Sequence, residues 1–391
     1  MKERIVIVGG GVAAHECAFA LRRLGHEGPV ELVGAETEVP YDRTLLSKDQ
    51  LAGEDAAACV ALSERPAYAD AGIDVRLGVR AVRLPAGESR VELSDGDELA
   101  FDRLVVCTGG RPVMPEALVA PGVLALREAA DLPRVHDALA RVRHLVIIGG
   151  GFIGGEVASA AVKRYAPVTL VEAASAPLAP VLGDDVAGRL AGMHRAAGVE
   201  LVCGTPVRGV RRERDGLGVV LSDGRTLWAD AVLVGVGMTP NVEWLEGSGV
   251  ELDDGVVTDS ACRTARPDVL AAGDCARWEH PGYGARLRVE HWDVAMRHGE
   301  AVAAAALGSE EPFAPLPYFW SDQHETKLQW VGHAPAWDRV DLSEDDEPGF
   351  VARYFDSERL AGVLTVGRPR ACAAARRELQ SAGVAQEAMS R

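Results

Sequence analysis

Two glycine-rich segments hold the residues best placed to do chemistry. Ile5-Val6-Ile7-Val8-Gly9-Gly10-Gly11-Val12-Ala13-Ala14 and Leu145-Val146-Ile147-Ile148-Gly149-Gly150-Gly151-Phe152-Ile153-Gly154 lie 140 positions apart (149 − 9). Each runs from an apolar strand through glycines into the start of an amphipathic helix. In such a turn the first glycine, Gly9 or Gly149, permits the tight reversal. The second, Gly11 or Gly151, lets the backbone approach a diphosphate, and a small third residue, Ala14 or Gly154, lets the helix pack on the strand. The helix start then presents free N–H groups and a positive dipole end to the phosphates. The pattern points to two dinucleotides, one for each copy.

Acidic residues refine this. Glu172 directly follows the strand Val168-Thr169-Leu170-Val171. A carboxylate there accepts hydrogen bonds from the ribose hydroxyls and repels a 2′-phosphate. No arginine follows in Ala173-Ala174-Ser175, so NADH is favoured over NADPH. After the equivalent strand Val30-Glu31-Leu32-Val33 the same place holds Gly34, and Glu36 comes two residues later. Glu36 is the candidate for the other ribose. Strands ending in Thr108-Gly109 and in Gly235-Val236-Gly237 close the two units against their nucleotides. Further on, Val269-Leu270-Ala271-Ala272 reads as a short strand, and Gly273-Asp274 as the start of the next helix. Asp274 there would bond a polyol hydroxyl or serve as an N-cap.

The elements that must position these residues follow from the same pattern. Each glycine turn opens a β-α-β unit of roughly 30 residues, the context a dinucleotide fingerprint requires. Alternating strands and helices imply parallel sheets. The chain has 391 residues, enough for two or three domains. It is 48% apolar and 25% charged, with a net charge of −17. That charge disfavours nucleic acid or an anionic membrane as the main partner. No apolar run approaches the ~20 residues that span a bilayer. The opening Met1–Val8 reads as a buried strand rather than a signal peptide, and a cytoplasmic protein is expected. The seven cysteines are scattered and odd in number, without a C-x-x-C pair. They argue against a disulfide framework or a zinc site, and read as small buried hydrophobes.

Four further stretches carry a family likeness. They are Val39-Pro40-Tyr41-Asp42-Arg43-Thr44-Leu45-Leu46-Ser47-Lys48, Gly155-Glu156, Arg288-Val289-Glu290-His291-Trp292-Asp293-Val294-Ala295 and Tyr318-Phe319-Trp320-Ser321-Asp322-Gln323. With the two fingerprints and Gly273-Asp274, in this order over nearly the whole chain, the sequence resembles the two-dinucleotide-binding-domain flavoprotein reductases. Within them it is most similar to the ferredoxin reductases of oxygenase systems. It departs from their pattern at Thr44-Leu45, where Pro-Pro is usual, and at Val294, where asparagine is common.

The resemblance implies FAD and NADH as cofactors. For FAD it implies contacts from Gly9, Gly11, Ala13, Ala14, Glu36, Arg43, Lys48, Ala81, Thr108, Gly109, Arg127, Gly273, Asp274, Glu290 and Trp292. Asp274 then holds the ribityl chain. For NAD it implies Gly149, Gly151, Phe152, Ile153, Gly154, Glu156, Glu172, Gly235 and Gly237. Lys48 is placed beside the flavin's reactive nitrogen, Glu156 across from it, and Trp320 against the ring, shielding it or conducting electrons outward. Cys107 and Cys275 are expected near FAD without a redox role. The implied acceptor is a [2Fe–2S] ferredoxin or a rubredoxin. Docking such a carrier would need a local positive patch, with Arg65, Arg286, Arg288, Arg297 and Lys327 as candidates.

Related disulfide reductases carry a reactive cysteine pair, and none stands in the 35–50 loop or the second unit. Two rival readings are an NADH-dependent reductase of a quinone or other small acceptor, and an FAD- and NAD-binding redox sensor resembling apoptosis-inducing factor. The expected architecture is α/β. It comprises an FAD unit from 1–113 and 243–312, an NAD unit at 114–242, and a smaller C-terminal α/β unit at 313–391.

Overall fold

A computed structural model describes residues 2–53, 59–164, 166–343 and 348–381. Parts of all three expected units, including 382–391 at the end of the third, therefore lie outside the described residues.

The apolar runs of the two fingerprints form the central strands of two five-stranded parallel sheets. In the first sheet the order is Val269–Ala271, Arg103–Val106, Ile5–Val8, Val30–Gly34 and Ile73–Leu77. In the second it is Glu200–Val202, Val168–Val171, Leu145–Ile148, Ala231–Val234 and Val123–Leu124. Residues Ile5, Val6 and Ile7, like Val146 and Ile147, are fully buried. Strands covered on both faces read as such unbroken hydrophobic runs. In each sheet the chain adds one neighbour on one side of the fingerprint strand and a later one on the other. This switch point opens a crevice at the carboxyl ends of the strands, where ligands bind in such sheets.

The internal echo extends further than the glycines. Each sheet carries a three-stranded antiparallel meander. One is formed by Ala81–Arg83, Arg90–Leu93 and Glu98–Ala100, the other by Val207–Glu213, Gly216–Leu221 and Thr226–Ala229. Where the chain passes between the two units, Gly110–Pro112 pairs antiparallel with Met238–Pro240.

The last segment is a five-stranded antiparallel sheet in the order Tyr318–Gln323, Thr326–Gly332, Arg359–Val366, Phe350–Asp356 and Arg339–Ser343. Helix Pro369–Ser381 covers one face, burying Cys372, Ala375 and Leu379 against Val331 and Val363. The other face packs Trp330 and Tyr354 on Leu182, Val186 and Leu190 of the second unit. This brings strand Tyr318–Gln323 against the second fingerprint helix, Phe152–Lys163.

One local expectation is corrected. Gly273-Asp274 does not open a helix. It forms a single 3-10 turn, Gly273–Cys275, followed at once by strand Ala276–His280. Ala276, Trp278 and His280 are buried on one side of that strand, so the period-2 burial of a strand prevails over helical continuation. Asp274 is therefore no N-cap. Among the described residues, no helix is long and apolar enough to cross a membrane.

Candidate functional site

The switch points of both sheets open into one cavity of about 1170 Å³. It is lined by Gly9, Gly10 and Gly11 of the first turn and Gly151 of the second, by the 41–48 loop, by Gly273-Asp274, by residues 288–292 and by Phe319 and Trp320.

The glycines divide the labour as their positions demand. A Cβ on Gly9 would come within 2.0 Å of the Cys107 carbonyl oxygen, and one on Gly149 within 2.3 Å of the Gly235 oxygen. Both residues also have positive φ, +144° and +105°, which L side chains rarely adopt. At Gly11 and Gly151 a Cβ would meet nothing within 4 Å among the described residues. The only thing it would occupy is open space at the start of a helix. Among the described residues those helices, Val12–Arg23 and Phe152–Lys163, have no side-chain cap. The first N–H groups of any helix have no partner within it, which leaves them to a diphosphate. Trp292 Nε1 is buried at the same wall and finds no hydrogen-bond partner among the described residues. These features fit two bound dinucleotides.

At the middle of the cavity Lys48 Nζ lies 3.1 Å from the Glu156 carboxylate. Glu156 is only 3% exposed, so its charge must be satisfied internally. It accepts hydrogen bonds from the Ser47 hydroxyl, from the Ser321 hydroxyl at 2.7 Å and from the Asp322 amide at 3.2 Å. Lys48 also donates to the Thr44 carbonyl at 2.9 Å. One carboxylate thus ties together the 41–48 loop, the second fingerprint helix and the C-terminal sheet.

Towards the first sheet, Arg127 reaches Asp274 at 3.1 Å and the Gly110 carbonyl at 3.1 Å. The Glu36 carboxylate is bonded by Arg43, by the Tyr41 hydroxyl at 2.6 Å and by the Ala129 amide at 3.2 Å. Burial pushes the Glu36 carboxyl up, but Arg43 and these hydrogen bonds outweigh it and hold it below its ordinary value. Glu290 behaves oppositely. Burial raises it, although Arg288 donates to it at 2.9 Å. Thr108 and Asn241 cross-link the two interdomain strands, Thr108 Oγ1 donating to the Asn241 carbonyl at 2.7 Å.

Towards the second sheet, Phe152 meets Phe319 edge-on at 4.6 Å, and Ile153 stays 45% exposed at the rim. Glu172 accepts the Gly150 amide at 2.7 Å and the Ala174 amide at 2.8 Å. Its carboxylate is therefore locked beside the turn. Trp320 lies at the cavity wall, edge-on to Trp292 at 6.1 Å and stacked at 6.0 Å on Tyr318. It is not a core tryptophan.

Most of the residues singled out from the sequence line this one cavity: Gly9, Gly11, Ala13, Glu36, Arg43, Lys48, Ala81, Thr108, Gly109, Arg127, Gly151, Phe152, Ile153, Glu156, Gly235, Gly237, Gly273, Asp274, Glu290, Trp292 and Trp320. Ala14, Gly149, Gly154 and Glu172 do not. Ala14 is wholly buried, and a Cβ on Gly154 would strike the Gly149 carbonyl oxygen at 2.1 Å, so these two pack helix on strand. Cys107 lines the cavity, whereas Cys275 lies wholly buried behind it. Burial raises the pKa of both thiols, and all seven cysteines are free. Of the five candidate docking cations, Arg288 lines the cavity and Lys327 sits 6.0 Å over the Trp320 ring. Arg286 and Arg297 lie against Glu251 and Asp293, and Arg65 opens the short helix Arg65–Asp70.

The sequence reading gave no role to Tyr41, Ser47 or Ser321. All three stand inside motifs quoted above, and what reveals them is the carboxylate each one bonds: Glu36 for Tyr41, and the buried Glu156 for Ser47 and Ser321.

Comparison with known proteins agrees with this geometry. Residues 3–299 match the family described as pyridine nucleotide-disulphide oxidoreductase, and residues 318–390 match a reductase C-terminal domain. The chain is 36% identical to putidaredoxin reductase CamA of Pseudomonas putida, over 94% of this chain and 89% of that one. It is 37% identical to rhodocoxin reductase of Rhodococcus erythropolis, over 96% and 89%. The fold superposes on the crystal structure of the covalent putidaredoxin reductase–putidaredoxin complex with a TM-score of 0.92 at 33% identity, covering 99% of this chain and 97% of that one. The chain belongs to the pyridine nucleotide-disulphide oxidoreductase family.

Proposed function

We propose that the protein is an NADH-dependent reductase of a small iron–sulfur electron carrier, a [2Fe–2S] ferredoxin or a rubredoxin, acting in the cytoplasm. The flavin unit is drawn from 1–113 and 243–312, the NAD unit from 114–242, and the C-terminal unit from 313–391. Bound FAD would supply the redox chemistry, accepting hydride from NADH and giving up electrons singly. The chain's own residues bind and orient.

The first glycine turn and Gly273-Asp274 hold the flavin nucleotide, with Arg127 steadying the Asp274 carboxylate. The second turn and Glu172 hold NADH and discriminate against a 2′-phosphate. Lys48 presents a fixed positive charge in a largely enclosed site, where such a charge stabilises developing anionic character without reorganisation. Glu156 keeps that cation in place. Trp320 and Trp292 form the aromatic wall on the side open to an acceptor.

The observation that carries this reading is the single cavity joining both glycine turns at the Lys48–Glu156 pair, with Trp320 at its edge and all seven thiols unpaired. Free thiols suit a reducing compartment, and without a thiol relay the acceptor must take electrons at the flavin. The relatives' names, putidaredoxin reductase and rhodocoxin reductase, support an electron-carrier protein as that acceptor.

The test is stopped-flow reoxidation of the NADH-reduced protein by a [2Fe–2S] ferredoxin, a quinone and oxygen in turn. Fastest reoxidation by ferredoxin is expected. Fastest reoxidation by the quinone would assign the small-acceptor reaction instead, and slow reoxidation by all three would assign a sensor.

A further inference from the structure

Behind the cavity, on helix Trp292–Ala306, stands a histidine that the proposed reaction does not use. His298 is wholly buried. Its ring stacks on Phe313 with centroids 4.3 Å apart and packs 5.2 Å from Trp278. Its Nδ1 lies 3.2 Å from the Gly273 amide nitrogen. That amide can only donate, so Nδ1 accepts and the ring proton sits on Nε2. Nε2 in turn is buried without a partner among the described residues. Burial lowers the His298 pKa to about 3, so the ring remains a neutral acceptor at physiological pH.

An unpaired buried N–H is costly, and a leucine or phenylalanine would fill this apolar site without it. What the histidine provides is the acceptor for Gly273. Gly273 has φ +77° and presses on the first fingerprint helix, since a Cβ on it would lie 3.0 Å from Ala13 Cβ. A peptide unit beside a left-handed glycine rotates at little steric cost. An amide held by a rigid, packed acceptor does not. The next residue, Asp274, lines the cavity and pairs with Arg127.

We propose that His298 is a positioning residue for FAD: its Nδ1 locks the Gly273 peptide so that the Asp274 carboxylate stands preformed at the cavity wall. The proposal rests on the assignment of that wall to FAD.

The test follows FAD release from the holoprotein after dilution, by the rise in free-flavin fluorescence. The variants are H298F, which keeps a stacked ring without an acceptor, and H298N, whose Oδ1 replaces Nδ1. Each is made alone and with D274A, and H298L stands in should H298F not fold. H298F is expected to release FAD about tenfold faster, the effect of leaving one buried amide unsatisfied. H298N should stay within about threefold of wild type. In the D274A background H298F should add less than about threefold, because residues acting through one another are not additive. A wild-type release rate in flavin-loaded H298F overturns the proposal. So does an H298N rate equal to that of H298F, or a full H298F effect that persists without Asp274. A wild-type protein that carries no FAD overturns the assignment of the site itself, and this proposal with it.

Discussion

The Lys48 ammonium and the Glu156 carboxylate meet at 3.1 Å from positions 108 residues apart in the chain. Their side chains are 12% and 3% exposed, so this pair is unlike the solvated surface bridges worth about 0–1 kcal/mol. Removing one partner leaves the other with an uncompensated charge in a poorly solvated site.

Lys48→Met should therefore slow flavin reduction by NADH by on the order of 10²-fold, the typical loss when one preorganised donor is removed from a reacting centre. Glu156 keeps Ser47, Ser321 and the Asp322 amide as partners, so the fold should survive. Stopped-flow bleaching under single-turnover conditions measures this, and a wild-type rate would remove Lys48 from the site.

Glu172→Ala should raise KM for NADH and narrow the preference over NADPH by roughly tenfold, the equivalent of about 1.4 kcal/mol. The carboxylate also braces the Gly150 and Ala174 amides, so part of the KM increase comes from a looser turn. The ratio of kcat/KM values for the two nucleotides isolates the specificity part. An unchanged ratio would refute the discriminating role.

Trp320→Ala should leave reduction by NADH within about threefold of wild type and slow reoxidation by ferredoxin by at least roughly tenfold. Trp320 adjoins Trp292 and Tyr318 at the cavity wall, and the proposed function gives it to the acceptor side of the flavin. The two half-reactions, followed separately, check this. Equal slowing of both would make Trp320 a packing residue.

The protein should lose stability as the pH falls from 7 to 5. Burial lowers His15 to about 4, His194 to about 4 and His298 to about 3, from an ordinary value of 6.5. Below pH 6.5 the unfolded chain takes up protons that the folded one refuses. Stability is therefore full above that value and declines as the pH drops towards 4, by up to about 1.4 kcal/mol per histidine per pH unit. Urea unfolding at pH 7 and pH 5 measures the change, and identical midpoints would contradict the neutral buried histidines.

How much was legible in the sequence depended on distance along the chain. The glycine turns, the strands before them and Glu172 are local patterns set by sterics within about 25 residues, and they stand where the spacing places them. Lys48, Glu156 and Trp320 were reached through motif likeness, and their mutual geometry exists only in the folded chain. Ser47 and Ser321 carry no signal of their own, since a serine bonded to a carboxylate 109 or 165 positions away reads as any surface serine. Glu36 lines the cavity although its register departs from the plain pattern. Its carboxylate, however, is already engaged by Arg43, Tyr41 and Ala129, which no local spacing could reveal. The 273–275 turn looks like a helix start in sequence because its Gly-Asp pair carries a capping signal, while the strand after it is fixed by burial in the tertiary fold. The two meanders leave little trace in the sequence, because strands of three to seven residues between glycines and charges give little alternation to count.

The proposed reaction needs one protein to bind two dinucleotides that exchange electrons. Anaerobic titration of the purified protein with NADH tests that most directly. The prediction is one FAD per chain, bleached in full by about one equivalent of NADH. A protein without flavin, or one whose flavin absorbance is unchanged by excess NADH, would contradict it.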